Sequence, residues 1–303
     1  MSKKAVFGID IGGTSLKCGL FSATGNLIRK DEIPTRKEEN GKYIFDDIRA
    51  YIESVLIQED MSKDDVIGVG LGVPGSVTED GTVNKCVNLG WGVFNVIEAA
   101  AKNLGIDESK IAVGNDANMA ALGEYWQGSG VGYRSTLFVT VGTGVGGGLI
   151  IDGVPVNGAN GAAAEIGHLP IIDGLDWQCT CGKTGCLEQV ASATGIARLA
   201  GMNNAKEVFD AAKDGDAKAL EVVEKVSMYL AKGLACVAGV TDPDVFIIGG
   251  GVSAAGEYFI ERIRKYYKML VFHPSTDTDI VLAKLGNDAG MYGAARLVLV
   301  KGI

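Results

Sequence analysis

A short apolar strand, a glycine turn, a second strand and a hairpin occur in that order twice in this chain. No other feature constrains its fold as much. Residues 5–10 run through Ile11-Gly12-Gly13-Thr14 into a strand at 16–22, and Gly25-Asn26 then turns the chain into 27–33. Residues 135–141 run into a glycine-rich turn at 142–148, then a strand at 149–151 and a hairpin turn at Asp152-Gly153. A repeat of this kind predicts two related units, each presenting one glycine turn to a shared cleft. Glycine supplies 44 of the 303 residues, about twice the usual share. The glycines are clustered, so they mark tight backbone turns rather than flexible linkers.

The remaining pattern alternates helices with buried strands. Helical spacing of Ile44, Ile48, Ile52, Val55 and Leu56 predicts a helix over 43–58. Residues 66–73 read as a buried strand ending at Pro74-Gly75, 95–104 as helix, 111–114 as strand, and 117–126 as helix closed by Gly128. Helices follow at 205–213 and 217–240, and a buried strand at 245–248 ends in Gly249-Gly250-Gly251. This is an α/β protein. The expected division is a smaller unit over 1–117 plus 289–303 and a larger one over 118–288.

Composition excludes several function classes. Twenty-eight Lys and Arg stand against 37 Asp and Glu, a net charge of −9, which argues against nucleic acid or anionic membrane as partners. No apolar run approaches the ~18 residues of a membrane span, and the N-terminus enters a strand without a signal peptide, so a cytoplasmic protein is expected.

Two nucleotide motifs almost match. Gly142, Gly144 and Gly147 satisfy G-x-G-x-x-G, but a strand follows where the dinucleotide fingerprint needs a helix N-terminus. Gly182-Lys183-Thr184 resembles the end of a P-loop, but Trp177 stands where its first glycine belongs. What remains is an ordered set of three turns: Asp10-Ile-Gly12-Gly13-Thr14 with Lys17, Gly142-Thr143-Gly144, and Gly249-Gly250-Gly251. Glycine lets backbone N–H groups approach phosphate oxygens, the threonines add hydroxyl donors, and Asp10 can hold a magnesium ion through water.

Of six cysteines, Cys179, Cys181 and Cys186 lie within eight residues and follow Glu165-Ile-Gly-His168. In a reducing compartment such a cluster reads as a metal site before a disulfide framework. Three thiolates and one imidazole complete a tetrahedral zinc set with no open position, which marks a structural ion. Gly182 and Gly185 supply turns for the loop. Cys18, Cys86 and Cys236 read as small core thiols.

The three turns in this order resemble the actin-like, hexokinase-type ATPase superfamily, in which they enclose ATP between two domains. Glu165-Ile-Gly-His168 followed by Cys179-Thr-Cys181-Gly-Lys-Thr-Gly-Cys186-Leu-Glu188 resembles the signature of the ROK family of bacterial sugar kinases and repressors. Asn88-Leu-Gly-Trp91, Asn115-Asp116-Ala-Asn118, 142–148 and 285–290 extend the resemblance over essentially the whole chain, which is most similar to the glucokinases of Gram-positive bacteria. One departure is Ala162-Ala163-Ala164, where relatives often carry glycine; a stiffer sugar loop is expected.

The resemblance implies a two-domain fold with its site in the interdomain cleft, and an ATP- and magnesium-dependent kinase forming glucose 6-phosphate from glucose. N-acetylmannosamine, a β-glucoside or fructose are alternative substrates. It implies that Glu165, Glu188, Asn115, Asp116, a backbone contact at Gly75, and one ring nitrogen of His168 receive the sugar, the other nitrogen binding zinc. A homodimer or higher homo-oligomer is the expected assembly. From position alone, Asp116 reads equally as a helix N-cap and as a base; the resemblance implies the base. A sugar-responsive repressor is the rival class, but only nine residues precede Asp10, too few for a DNA-binding domain there. His273 and the basic face of Arg262, Arg264, Lys265 and Lys268 read as solvated surface, Trp126 and Trp177 as packing residues, and Trp91 as a border of the sugar site.

Overall fold

The strand Ala5–Ile11 is buried at six of its seven positions, which requires cover on both faces and makes it central to its sheet. The computed structural model, which describes residues 4–84, 86 and 89–302, places it there. Asn88, from the Asn88–Trp91 stretch, lies outside the described residues. The sheet runs in the order Leu27–Pro34, Ser15–Ser22, Ala5–Ile11, Val66–Val73, Ile111–Asn115. Its first three strands are antiparallel; the last three are parallel.

One face of this sheet carries Ala5, Phe7, Ile9 and Ile11 into a core with Ile44, Ile48, Val55, Val96 and Leu104, from helices Ile44–Gln58 and Val96–Leu104. The opposite face meets the helix Ala289–Lys301 at very close range. An added Cβ at Gly8 would stand 2.2 Å from the Met291 carbonyl, and one at Gly70 only 1.9 Å from that of Ala294. The same helix crosses Asp116–Gln127 with Gly123 and Gly293 at the contact, where an added Cβ would fall 2.1 Å from Ala289 O and 1.7 Å from Met119 O. Trp126 packs on Phe21 and Tyr292, as its reading as a packing residue requires.

The second sheet repeats the first three connections. Ser135–Val141 pairs antiparallel with Val145–Ile151 and parallel with Val245–Gly249, which pairs parallel with Asp279–Leu282. Behind it lies the helix Glu257–Leu270, with Tyr267 edge-on to Phe246. Alongside that helix runs Ala217–Thr241. The expected turn at 142–148 is shorter than its glycine content implies. Gly146, Gly147 and Gly148 pair with Thr140, Val139 and Phe138 in the ladder. Gly147 serves proximity rather than turning: a Cβ there would stand 2.3 Å from the Ala164 carbonyl.

The chain packs into two units, Met1–Gln127 with Gly153–Ala163 and Asn287–Ile303, and Gly128–Asp152 with Ala164–Gly286. The expected boundary after 117 falls inside the helix Asp116–Gln127, whose glycine crossing with Ala289–Lys301 keeps it whole in the first unit. The return of 153–163 to that unit carries no signal in the sequence. Two surface readings also change. Cys236 is exposed, while Cys18 and Cys86 are buried. The basic face of the helix Glu257–Leu270 is engaged: Arg262 pairs with Glu224 at 2.9 Å over the Tyr258 ring, and Arg264 donates to Glu257 and to Ile280 O.

The glycine contact between sheet and helix sets a test. Gly70→Ala forces a methyl into backbone that has no side-chain freedom to yield, and is expected to lower stability by about 1–3 kcal/mol. Urea unfolding of the purified variant measures it; an unchanged midpoint would mean the helix is not seated on the strand.

Candidate active site

Asp10 and Asn115-Asp116 sit at the carboxyl ends of parallel strands in one sheet, with Asp10 and Gly114 both in register with Gly72 of the strand between them. That edge is where open α/β sheets bind ligands. Lys17 lies directly across from Asp10 on the antiparallel neighbour. Gly290, in the first turn of the helix Ala289–Lys301, has no room for a side chain because a Cβ there would come within 2.7 Å of the Asp10 carboxyl carbon. Burial first, and the Asp116 carboxylate second, push the Asp10 carboxyl up to about 6, with Lys17 pulling against them. Asp116 keeps open surface, yet enough protein surrounds it that desolvation raises its pKa as well, against a hydrogen bond from the Ala117 N–H.

The turn after Ile11 is closed by the Gly12 N–H donating to Ser15 O at 3.0 Å, and the Thr35 hydroxyl donates to Gly12 O. Thr14 is exposed at its tip. Gly75 adopts φ +97°, a conformation that selects glycine. Its carbonyl accepts from Asn115 Nδ2 at 3.0 Å.

Asn115 answers the question left open for Asp116. Its Oδ1 accepts from the N–H groups of Ala117 and Asn118, at 3.0 and 3.2 Å, so Asn115 caps the helix Asp116–Gln127. Asp116 is the first helical residue rather than the cap, and its Oδ1 accepts only locally, from Ala117 at 2.8 Å. Asn was as good a cap signal in the sequence as Asp; the choice between neighbours needed the helix start to within one residue.

In the second unit the turn Gly142–Gly144 closes with the Gly142 N–H donating to Gly144 O at 2.9 Å. The helix Ala193–Ala200 docks on it, its first N–H donating to Gly142 O at 2.7 Å. Gly250, at φ +81°, lies against the end of the neighbouring strand, where a Cβ would meet the Val141 backbone at 2.5 Å. The second and third glycine turns are therefore side by side. The Gly249–Gly251 segment leads into a single helical turn at Gly251–Ala255.

The cysteine cluster stands on the same hairpin. Gly167 backs onto Val145, with an added Cβ 2.0 Å from Val145 O, and Glu188 Oε2 accepts from Val145 N–H at 3.0 Å. A Cβ at Gly144 would lie 2.4 Å from that same Oε2. Glu188 Oε1 lies 3.9 Å from Cys179 Sγ, so one carboxylate links the cysteine loop to the second glycine turn. Glu165 is exposed and opens the turn Ile166–His168. Of the three alanines before it, Ala164 alone is left-handed, at φ +62°. This conformation costs an L-residue roughly 1–2 kcal/mol.

The ligand atoms of His168, Cys179, Cys181 and Cys186 all lie within 4.8 Å of one another. Cys181 and Cys186 sulfurs are 3.6 Å apart, and Cys179 Sγ is 3.5 Å from His168 Nδ1. Those are the edge lengths of a tetrahedron with metal bonds of about 2.3 Å to sulfur and 2.0–2.1 Å to nitrogen. Gly182 and Gly185, at φ +85° and +76°, make the loop's turns as expected. Burial, then hydrogen bonds with Cys181 and Cys179, push the Cys186 thiol up to about 12, so three thiolates do not gather here without a cation. The residues fit zinc. With Nδ1 turned to the cluster, Nε2 is the ring nitrogen left for another partner. Trp177, outside the cluster, stacks under Arg198. Trp91 is buried between Phe45 and Phe94.

Two sheets of matching topology, each with a glycine hairpin after its first strand, define the actin-like ATPase fold. Residues 6–301 match the ROK family, and the chain belongs to it. It is 40% identical to a glucokinase of Halalkalibacterium halodurans, covering 98% of this chain and 96% of that one. Among solved structures it is similar to a ROK hexokinase from Thermus thermophilus, with a TM-score of 0.88, 30% identity and coverage of 98% and 99%. A ROK glucokinase from Streptomyces griseus, solved with glucose and AMPPNP, follows at a TM-score of 0.77 and 31% identity, covering 97% and 98%. Among the described residues no helix is long and apolar enough to cross a membrane.

The raised Asp10 carboxyl has a measurable consequence. A carboxyl bound more tightly to its proton in the folded state destabilises that state above pH 6, and the penalty fades as pH falls from 6 towards 4. Asp10→Asn is therefore expected to stabilise the ligand-free protein at pH 8 by up to about 3 kcal/mol. The gain should vanish near pH 4. Unfolding curves at pH 4, 6 and 8 check the sign; a variant less stable at pH 8 would contradict it.

Proposed function

We propose that this protein transfers the γ-phosphoryl group of ATP to the 6-hydroxyl of a hexose, glucose foremost. The observation that carries the reading is Asp116: its helix is already capped by Asn115, so its carboxylate is spared for chemistry. Its raised pKa makes it a better proton acceptor than an ordinary surface aspartate. The likeness to named glucokinases over nearly the full chain supports glucose as the sugar.

In this reading the glycine turns at 12–14, 142–144 and 249–251 offer backbone N–H groups to the nucleotide, with Thr14, Thr143 and Lys17 adding donors. Asp10 would hold a magnesium ion accompanying the phosphates, which would neutralise their charge, and the crowding of Asp10 with Asp116 is the setting in which a cation is welcome. Glu165, Glu188 and His168 Nε2 receive sugar hydroxyls, and Gly75 adds a backbone contact. Asn115 serves the sugar chiefly by fixing Gly75 and the helix start, since its Oδ1 and one amide hydrogen are already engaged. Asp116 takes the proton of the 6-hydroxyl as that oxygen attacks the γ-phosphorus in line; the bond to the ADP oxygen breaks, and ADP departs. His168, Cys179, Cys181 and Cys186 would hold a zinc ion, which would supply structural cross-linking. Through Glu188 and Gly167 that cross-link also stiffens the second glycine turn.

A coupled assay of ADP release over a hexose panel tests the function: glucose should give the highest kcat/KM, and a tenfold preference for N-acetylmannosamine or fructose would replace the substrate while keeping the kinase. Asp116→Asn should lower kcat by about 10²–10⁴, with a melting temperature close to wild type because the cap is untouched. A near-normal kcat would remove Asp116 from the chemistry. Purified protein should contain about one zinc per chain, and Cys181→Ser should lower both thermal stability and glucose affinity. Well-folded, active protein without zinc would defeat that expectation.

A further inference from the structure

Asn118 is 95% removed from solvent, with a relative exposure of 5%, on the first turn of the helix that begins at Asp116. Its Nδ2 donates to Asn157 Oδ1 at 3.1 Å, while its own Oδ1 has no hydrogen-bond partner among the described residues. A buried acceptor left unpaired costs about 1–3 kcal/mol, so the amide is present for its donor. Asn157 is exposed and begins a tight turn: its carbonyl accepts from Ala163 N–H at 3.1 Å, Gly158 and Gly161 are left-handed, and Gly161 rests on Val77 O beside the Gly75 segment. The next two residues in the chain are the strained Ala164 and Glu165. A left-handed alanine persists only where its surroundings over-determine it.

We propose that Asn118 is a positioning residue for hexose binding: through Asn157 it pins the turn 157–163, which in turn sets the backbone that delivers Glu165. The inference rests on the hexose-kinase reading and adds to it a residue with no direct contact to substrate. One helix then carries both the base and the anchor of the sugar loop, at positions two residues apart.

Asn157 is exposed, so its variants test the pair without disturbing the core. Asn157→Ala is expected to raise the glucose KM about threefold to tenfold, the size of one neutral hydrogen bond. The ATP KM and melting temperature should not move. Asn157→Asp keeps the acceptor and should restore the wild-type KM. Asn118→Ala combined with Asn157→Ala should be no worse than the weaker single variant, because both remove one bond. Amide hydrogen exchange across 158–164, measured without substrate, should accelerate in Asn157→Ala but not in Asn157→Asp. An inactive wild type overturns the kinase reading. With an active wild type, an unchanged glucose KM, equal rises in the glucose and ATP KM, additive variants, or unchanged exchange would overturn this assignment alone.

Discussion

Backbone meeting backbone, at distances that forbid a single methyl group, is the constraint on which this structure rests. Gly8 and Gly70 seat a helix on a sheet; Gly123 and Gly293 let two helices cross; Gly167, Gly147 and Gly250 bring loops against strand ends. Each contact exchanges a side chain for close approach, and glycine in a regular element costs roughly 0.5–1 kcal/mol against alanine. The high glycine content thus serves close approach as well as turns. What proximity secures is placement: Asp10 over the first turn of a helix, and Glu188 over Gly144.

Two carboxyls close together at one sheet edge give the first unit its electrostatic character. Neither has a cationic partner strong enough to offset burial; Lys17 only softens the effect at Asp10. Such an arrangement is unfavourable for the empty protein and favourable for one holding a cation and a proton-donating hydroxyl. The second unit solves the opposite problem. There a loop gathers the ligand atoms of His168, Cys179, Cys181 and Cys186 within 4.8 Å of one another, above buried Ile166, Ile172 and Leu187.

Much of this was legible in the residues. Strand burial follows from continuous apolar runs, the Cys-His spacing foretold the gathering of four ligand atoms, and the failure of G-x-G-x-x-G to open a helix excluded a dinucleotide fold, as the strand Val145–Ile151 confirms. The illegible parts share a physical cause: they depend on what lies opposite in space. Gly146–Gly148 look like a turn until their ladder partners are known. Asp116 looks like a cap until Asn115 is seen holding two N–H groups. Cys236 sits in an apolar run, but on the outward side of its helix. Arg262 reads as solvated because Glu224 is 38 residues away in sequence. The left-handed Ala164 was visible only as an oddity of composition.

The helix Ala289–Lys301 closes a face of a sheet whose central strand begins at Ala5. During synthesis at roughly 5–20 residues per second, that strand waits on the order of 15–60 s for its cover. Until then the face of the sheet that carries Gly8 and Gly70 lacks its cover. The order of elements along the chain therefore leaves a face of the first sheet open to solvent through most of the synthesis of this sequence.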